Sequence, residues 1–301
     1  MATHVISRRL QLLIQYIYDS NFPSKQDIIE WLKEKDFKLS VRTFERDLER
    51  IRSDYGLEIT YDKSKDGYFI NEAESVKVDS FFKFLEIVNL ADLFTDSLKD
   101  NRKILDIVDF DDSRSFKGID NLRTLLLAIT QGRNVTFEHE NYTNETLTDY
   151  TITPLLLKEY ENRWYVIGVP SSINDIRTFG LDRIKGLELV GSSKINKQQY
   201  AKQLSRFNNI VGLHYEDNLP VKIRLLVNQV HIKYMRSLPL HHSQVIHSRN
   251  KDGQYFVDFC LVPNYEFKTQ ILKMGPEAVM LYPESLKTEI KEMLSLTLAR
   301  Y

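Results

Sequence analysis

The chain of 301 residues carries 41 Lys and Arg against 42 Asp and Glu, a formal charge of -1, so a uniformly basic coat for nucleic acid is excluded. Its 42% hydrophobic and 28% charged content, with 11 Gly and 8 Pro, excludes collagen-like, low-complexity and wholly disordered chains. At roughly 100 to 200 residues per domain, the length suggests two or three domains. The single cysteine, Cys260, excludes an internal disulfide framework and a zinc site of several thiolates, and favours a reducing compartment. No apolar run approaches the roughly 18 to 20 residues of a membrane span. The opening MATHVISRRLQLLIQYIYDS mixes Arg8, Arg9, Gln11 and Gln15 into its apolar stretch, unlike a signal peptide, so a cytoplasmic protein with no membrane partner is expected.

In residues 5–19, Val5, Ile6, Leu10, Leu13, Ile14 and Ile17 follow three-and-four spacing, the mark of a helix with one buried face that ends near Asp19. After Asn21-Phe22-Pro23, Ser24 with Asp27 three residues on predicts a capping box and a second helix to about Lys35. Ser40 is another N-cap, and Val41, Phe44, Leu48 and Ile51 predict the inward stripe of a third helix. LEITYDKSKDGYFI reads as a hairpin whose polar turn ends in Asp66-Gly67. Three helices and a hairpin make a winged helix-turn-helix over residues 1–72. Helical periodicity, broken by the acidic turn at Asp109-Phe110-Asp111-Asp112, predicts a helical linker over 73–132.

From Val135 the pattern changes to VTFEHENY, DYTITPLLLKEY, RWYVIGV, IRTFGLDRI and LELVG, five short strands that predict a small β-barrel over 133–200. A helical stretch near 197–210 follows. Residues 214–301 then alternate in βαββαβα order, which predicts a ferredoxin-like α+β domain with a terminal helix added. The expected fold class is therefore multidomain α+β.

On the third helix Arg42, Arg46 and Arg50 lie four apart and can project toward one surface, where arginine reads guanine edges or phosphate and Thr43 can touch a thymine methyl. Glu45, Asp47 and Glu49 interleave with them and nearly neutralise them, so a merely solvated face is the competing reading. Lys63 and Lys65 on the hairpin turn fit phosphate contacts and favour double-stranded DNA. In the β segment Arg177, Phe179, Leu181 and Arg183 share parity, so a regular strand would project both arginines on one side. His241, His242 and His247 invite a metal, but opposite strand parity and the lack of a completing set assign them to surface or interface. Cys260, in the apolar strand YFVDFCLV, is expected to pack as a small buried residue. No Gly-rich phosphate loop, GxSxG elbow or HExxH occurs, so neither catalysis nor a metal or other cofactor is expected.

NRWYVIGV at 162–169 followed by IRTFGLDRI at 176–184, with Thr153-Pro154-Leu155-Leu156 upstream, resembles the signature of WYL-domain transcriptional regulators. The resemblance extends over essentially the full chain, from a DeoR-type winged helix to a C-terminal extension, although WYV replaces WYL at Val166. It implies an Sm-like, SH3-type barrel that senses an effector, with nucleic acid or nucleotide-like ligands suspected, and a homodimer joined in part by the C-terminal extension. It nominates His139, Trp164, Tyr165, Arg177 and Arg183 as effector contacts. Many relatives have Tyr on the first barrel strand where this chain has His139, so stacking there gives way to hydrogen bonding or a pH-sensitive charge. One of Trp164 and Tyr165 should face the core, and Arg183 could equally be an ion-pair partner of Asp182 or Glu188. A DNA-binding regulator is expected. The alternatives are a nucleic-acid-sensing module whose winged helix serves protein contact, and a nucleic-acid hydrolase, which no metal constellation supports.

Overall fold

A computed structural model describes residues 2–75, 78, 81, 82, 117–142, 145–215 and 217–301. The chain divides into two compact units, Met1–Phe110 and Asp111–Tyr301. Most of the linker expected over 73–132, including its acidic turn, lies outside the described residues. Among the described residues no helix is long and apolar enough to cross a membrane.

The first unit holds α1 (Ala2–Asp19), α2 (Lys25–Glu34) and α3 (Val41–Arg50), a single π turn over Ile51–Tyr55, and the antiparallel hairpin of β1 (Ile59–Asp62) and β2 (Gly67–Ile70). Ser24 Oγ accepts from the Asp27 amide at 3.2 Å while Asp27 Oδ2 accepts from the Ser24 amide at 3.0 Å, the capping box expected for α2. Ser40 Oγ accepts from the Thr43 amide at 3.2 Å and starts α3. Leu13, Ile14, Ile28, Leu32, Phe44, Ile51 and Leu57 are fully buried in one core. Gly67 sits so close to the Phe22 carbonyl that an added Cβ would lie 2.0 Å from its oxygen, so only glycine lets the hairpin seat against the loop between α1 and α2.

Two positions of α3 differ from the expected stripe. Val41 is 51% exposed, because the first residue of a helix leans its side chain back past the helix end rather than onto the core. Asp47, expected among the solvated acidic residues, is 0% exposed instead. A carboxylate removed from water needs a full set of partners, and Arg9 of α1 supplies a two-pronged one, Nε to Oδ2 at 2.7 Å and Nη2 to Oδ1 at 2.9 Å.

The second unit opens with α4 (Asn121–Gln131), closed by Gly132 in the left-handed region at φ 61°. Five antiparallel strands follow, β3 (Arg133–Asn141), β4 (Thr146–Tyr160), β5 (Arg163–Pro170), β6 (Arg177–Gly180) and β7 (Ile184–Ser192), in the order β6-β5-β4-β3-β7. The strands were expected as a barrel; the described ladder is a sheet with β6 and β7 as its two edges. The chain passes from β6 into β7 through the 3-10 turn Leu181–Arg183. Three residues reach only about 10 Å, so the edges converge without pairing and the sheet curls strongly.

Both faces of this sheet are covered. Val135, Phe137, Ile152, Val166, Phe179 and Ile184 pack with Leu125 and Ala128 of α4, and Leu155, Ile167, Val169 and Ile176 pack with Tyr200, Phe207, Ile210 and Val262. Burial on two sides accounts for the near-continuous apolar runs of β4 and β5. A short helical stretch containing α5 (Ala201–Ser205) leads to β8 (Val221–Val227), α6 (His231–Ser237), β9 (Val245–Arg249), β10 (Tyr255–Leu261), α7 (Tyr265–Lys273), β11 (Ala278–Tyr282) and α8 (Glu284–Leu298). The four strands form an antiparallel sheet in the order β11-β8-β10-β9.

Two details of this part correct the sequence reading. Cys260 is exposed, because Phe259 and Leu261 on either side of it take the inward positions of β10. His241 is buried rather than superficial, with Nδ1 2.8 Å from Ser243 Oγ and Nε2 2.8 Å from the Asn208 carbonyl.

The Arg9–Asp47 pair gives a direct prediction. Arg9→Ala leaves Asp47 buried without a counter-charge and should cost the first unit about 3 to 5 kcal/mol. The double change Arg9→Met with Asp47→Leu removes both charges and should restore most of that loss. Urea unfolding of both variants measures this, and a double variant no more stable than Arg9→Ala contradicts it.

Candidate functional site

In the first unit, α3 divides its charges between an inner and an outer side. Arg42 and Arg46 are exposed and Arg50 is half-buried. Among the described residues none of the three guanidinium groups is held in an ion pair. Of the interleaved carboxylates, Asp47 is turned inward onto Arg9, and Glu45 lies 3.4 Å from Lys25 Nζ. Glu49 alone of the three stays exposed with neither arrangement. The near-neutral count along the sequence therefore becomes a cationic outer side in space. Thr43 is half-buried, and its hydroxyl sits 2.9 Å from Ser40 Oγ within the cap of the helix. At the hairpin tip Lys63 is exposed, while Lys65 Nζ lies 3.7 Å above the Phe22 ring.

In the second unit, an open cleft of about 390 Å³ is lined by Tyr165, Thr178 and Arg183 of the five-stranded sheet and by Leu213, His214, Tyr215 and Glu266 beyond it. Of the five residues nominated for an effector, Tyr165 and Arg183 lie on this cleft. Trp164, the next residue along β5, packs instead against the core shared with α4, as alternation along a strand requires. Arg177 is exposed on the edge strand β6, opposite Gly168.

The shared parity of Arg177 and Arg183 does not survive. The strand ends at Gly180, and Arg183 belongs to the 3-10 turn, so residue alternation no longer relates the two. Arg183 folds back toward Gly180, where an added Cβ would lie 3.0 Å from both Nε and Nη2. Its Nε lies 3.8 Å from Asp182 Oδ1 and its guanidinium 5.0 Å from the centroid of Tyr142. Arg163 reaches the other oxygen of Asp182 at 3.7 Å. One carboxylate thus stands between two arginines at long range, an excess of positive charge on the sheet side of the cleft that Glu266 opposes from the facing wall.

Two perturbed groups, Tyr165 and His139, lie near that charge. Burial pushes the Tyr165 phenol up, opposed by Arg163. His139, paired across from Ile184, stands edge-on to Phe179 at 5.2 Å and to Tyr150 at 6.2 Å. Burial first, and Arg183 second, hold its imidazole below the usual value, with Asp182 and Glu140 acting the other way. Its Nε2 is buried with no hydrogen-bond partner among the described residues. His241 is likewise held down by burial.

Thr178, His214, Tyr215 and Glu266 were not singled out in the sequence. Glu266 lies 83 positions after Arg183 in a different sheet's connection, and no local spacing relates the two.

The lowered histidines give a prediction with a definite sign. Unfolding returns His139 and His241 to water, where they bind protons near the usual pKa of about 6.5. The unfolded chain then holds more protons than the folded one below that value, so this contribution to stability is full above it and declines as pH falls through it toward the folded values. His139→Gln should lessen the drop in unfolding temperature between about pH 7.5 and pH 5.5. A drop as large as that of the unaltered chain contradicts this assignment.

Residues 120–189 match the family model of the WYL domain, and residues 219–298 match that of the WCX domain. Among solved structures, proteasome accessory factor B/C (PafBC) of Arthrobacter aurescens is similar at 15% identity and a TM-score of 0.31, over 95% of this chain and 45% of that one. The chain thus spans less than half the length of that protein. A protein described as CRISPR Cas-related is similar at 13% identity and a TM-score of 0.42, over 99% of this chain and 85% of that one. No curated protein matches the chain. The chain thus carries a WYL domain at 120–189 followed by a WCX domain at 219–298.

Proposed function

We propose that the chain is a DNA-binding transcriptional regulator whose WYL domain senses a nucleic acid or nucleotide-like effector. In this reading the first unit is a winged helix-turn-helix, with α3 as the recognition helix and the hairpin as its wing. The curled five-stranded sheet is an Sm-like, SH3-type barrel, and the WCX part is a ferredoxin-like domain that joins two protomers as a homodimer in the cytoplasm. No catalytic step, metal or cofactor belongs to it.

The observation that carries the reading is the sidedness of α3. Asp47 is withdrawn into the core on Arg9, while Arg42, Arg46 and Arg50 keep their charge for the outer surface. A helix of this kind fits a major groove, where arginine forks match phosphate and guanine edges, and Lys63 and Lys65 supply cations at the wing. The cleft supports the sensing half, because Arg183 and the Tyr165 ring offer an anion partner and a stacking surface together.

Regulation would be linkage. An effector that binds one arrangement of the two protomers better than another shifts the population toward it, alters the spacing of the two α3 helices, and so changes affinity for paired half-sites.

The test uses the full chain and duplex fragments recovered from genomic DNA by binding to it. Arg46→Ala with Arg50→Ala should weaken binding and lower the slope of log K against log salt by up to about 2, roughly 0.9 for each phosphate that is no longer neutralised. An unchanged slope removes these arginines from the interface. A full chain with no salt-dependent affinity for duplex would instead favour a winged helix that serves protein contact.

A further inference from the structure

Residues 190–218 join the segment that matches the WYL domain to the one that matches WCX. Within them Phe207 and Ile210 pack with the five-stranded sheet in a cluster that also takes in Val262, the residue after β10. The Val262 amide donates to the Asn209 carbonyl at 2.7 Å. A seam between the two domains therefore runs along the turn Arg206–Asn209, and two histidines close on it from the WCX side.

His241 and His242 lie in the loop between α6 and β9, with ring centroids 4.1 Å apart. Both turn Nε2 to the Asn208 carbonyl, at 2.8 and 2.7 Å. A carbonyl only accepts, so each Nε2 carries a proton, and the two donors use both lone pairs of one oxygen. On the other side of the His241 ring, Nδ1 accepts from the Ser243 amide at 3.2 Å and lies 2.8 Å from Ser243 Oγ. That hydroxyl oxygen accepts in turn from the Cys260 amide of β10 at 3.0 Å. Because an amide N–H only donates, the network holds His241 in one neutral tautomer.

A second proton on His241 is opposed from several sides. It would point at the Ser243 N–H, and it would place a cation in a site only 7% exposed. Burial is the largest influence holding this imidazole below its usual value, and His242 and Lys158 of β4 act the same way, against the Asn208 carbonyl. Among the described residues no carboxylate acts on the ring. On the adjoining elements Asp217 lies 2.9 Å from Arg206, and Asp258 is engaged by Arg224 at 2.6 Å and His247 at 2.8 Å.

We propose that His241 and His242 form an acid-sensitive clasp between the WYL and WCX domains, closed on the Asn208 carbonyl while both rings are neutral and released when they take up protons. Release frees the turn Arg206–Asn209 and with it the backbone bond to Val262, so the domains lose part of their join. An opened His241 binds protons near about pH 6.5 and the closed one only below that, so opening is favoured as pH falls through this value. The inference is independent of the DNA and effector readings, since it needs only the seam.

The test is amide hydrogen exchange of the full chain, read by mass spectrometry at about pH 7.5 and about pH 5.5 and corrected for the intrinsic rate at each pH. Segments 206–212 and 260–263 should lose protection at least about fivefold at the lower pH, while β5 keeps its own. His241→Gln with His242→Gln offers N–H donors to Asn208 without a titrating ring, and should remove the pH dependence of both segments.

Equal protection of these segments at the two pH values overturns the clasp. So does a loss that β5 shares in equal measure, which would report loosening of the whole unit. A loss that persists undiminished in the glutamine variant assigns the proton uptake elsewhere and overturns it as well. Should that variant not fold, the comparison of the two segments with β5 in the unaltered chain decides alone.

Discussion

A carboxylate buried to zero exposure in the middle of a short helix is the constraint from which the rest of the first unit follows. The partner of Asp47 there is Arg9, and their two-pronged contact ties α3 to α1. Such a pair adds little net stability compared with an apolar substitute, but it fixes rotation. A helix turned by one residue, about 100°, would move Asp47 out of reach of Arg9, so the pair holds Phe44 inward and Arg42 and Arg46 outward at once. The cap at Ser40 sets where the helix begins, and Gly67 allows the hairpin to close over the loop before α2. The cationic side is in this sense a by-product of where the one inward acid had to go.

In the second unit the corresponding constraint is the length of a connection. Three residues of 3-10 helix link the two edge strands of a five-stranded sheet, which forces the sheet to curl and brings Arg183 back over Gly180. The carboxylate of Asp182 then lies between Arg163 and Arg183 at 3.7 and 3.8 Å, too far to satisfy either as a close fork. The positive charge is thus confined to the sheet side of the cleft, with Glu266 on the facing wall. Because Glu266 and the segment Leu213–Tyr215 complete the same cleft, a ligand there would touch the WYL sheet and the WCX domain together. Contact with both is the minimum that a signal passing from one to the other would require.

Much of this was legible in the chain. The capping box at Ser24 and Asp27, the N-cap at Ser40, the hairpin ending in Gly67 and the βαββαβα order all follow from local rules that neighbouring residues satisfy by themselves. What failed were inferences that assumed regularity or solvent. Arg177 and Arg183 were related by alternation, and a 3-10 turn intervened. Asp47 read as one of three solvated acids because its partner lies 38 positions away. Cys260 looked buried from its apolar neighbours, although those neighbours occupy the inner side. The cleft itself was half visible: Tyr165 and Arg183 stood out in the motif, whereas Glu266 acquires its place only from tertiary packing. Helix α4, assigned to the linker by periodicity, contributes Leu125 and Ala128 to the sheet core for the same reason.

The central claim is that the outer side of α3 meets a duplex, and arginine reactivity measures it most directly. The full chain would be treated with an arginine-selective dicarbonyl reagent with and without bound duplex DNA, and modification at each position read by mass spectrometry. Arg42, Arg46 and Arg50 should be protected by DNA and lose that protection as salt is raised, while Arg9, held on Asp47, should react slowly in both states. Arginines on α3 that react equally fast with and without duplex, under salt conditions where the complex is intact, would contradict the account.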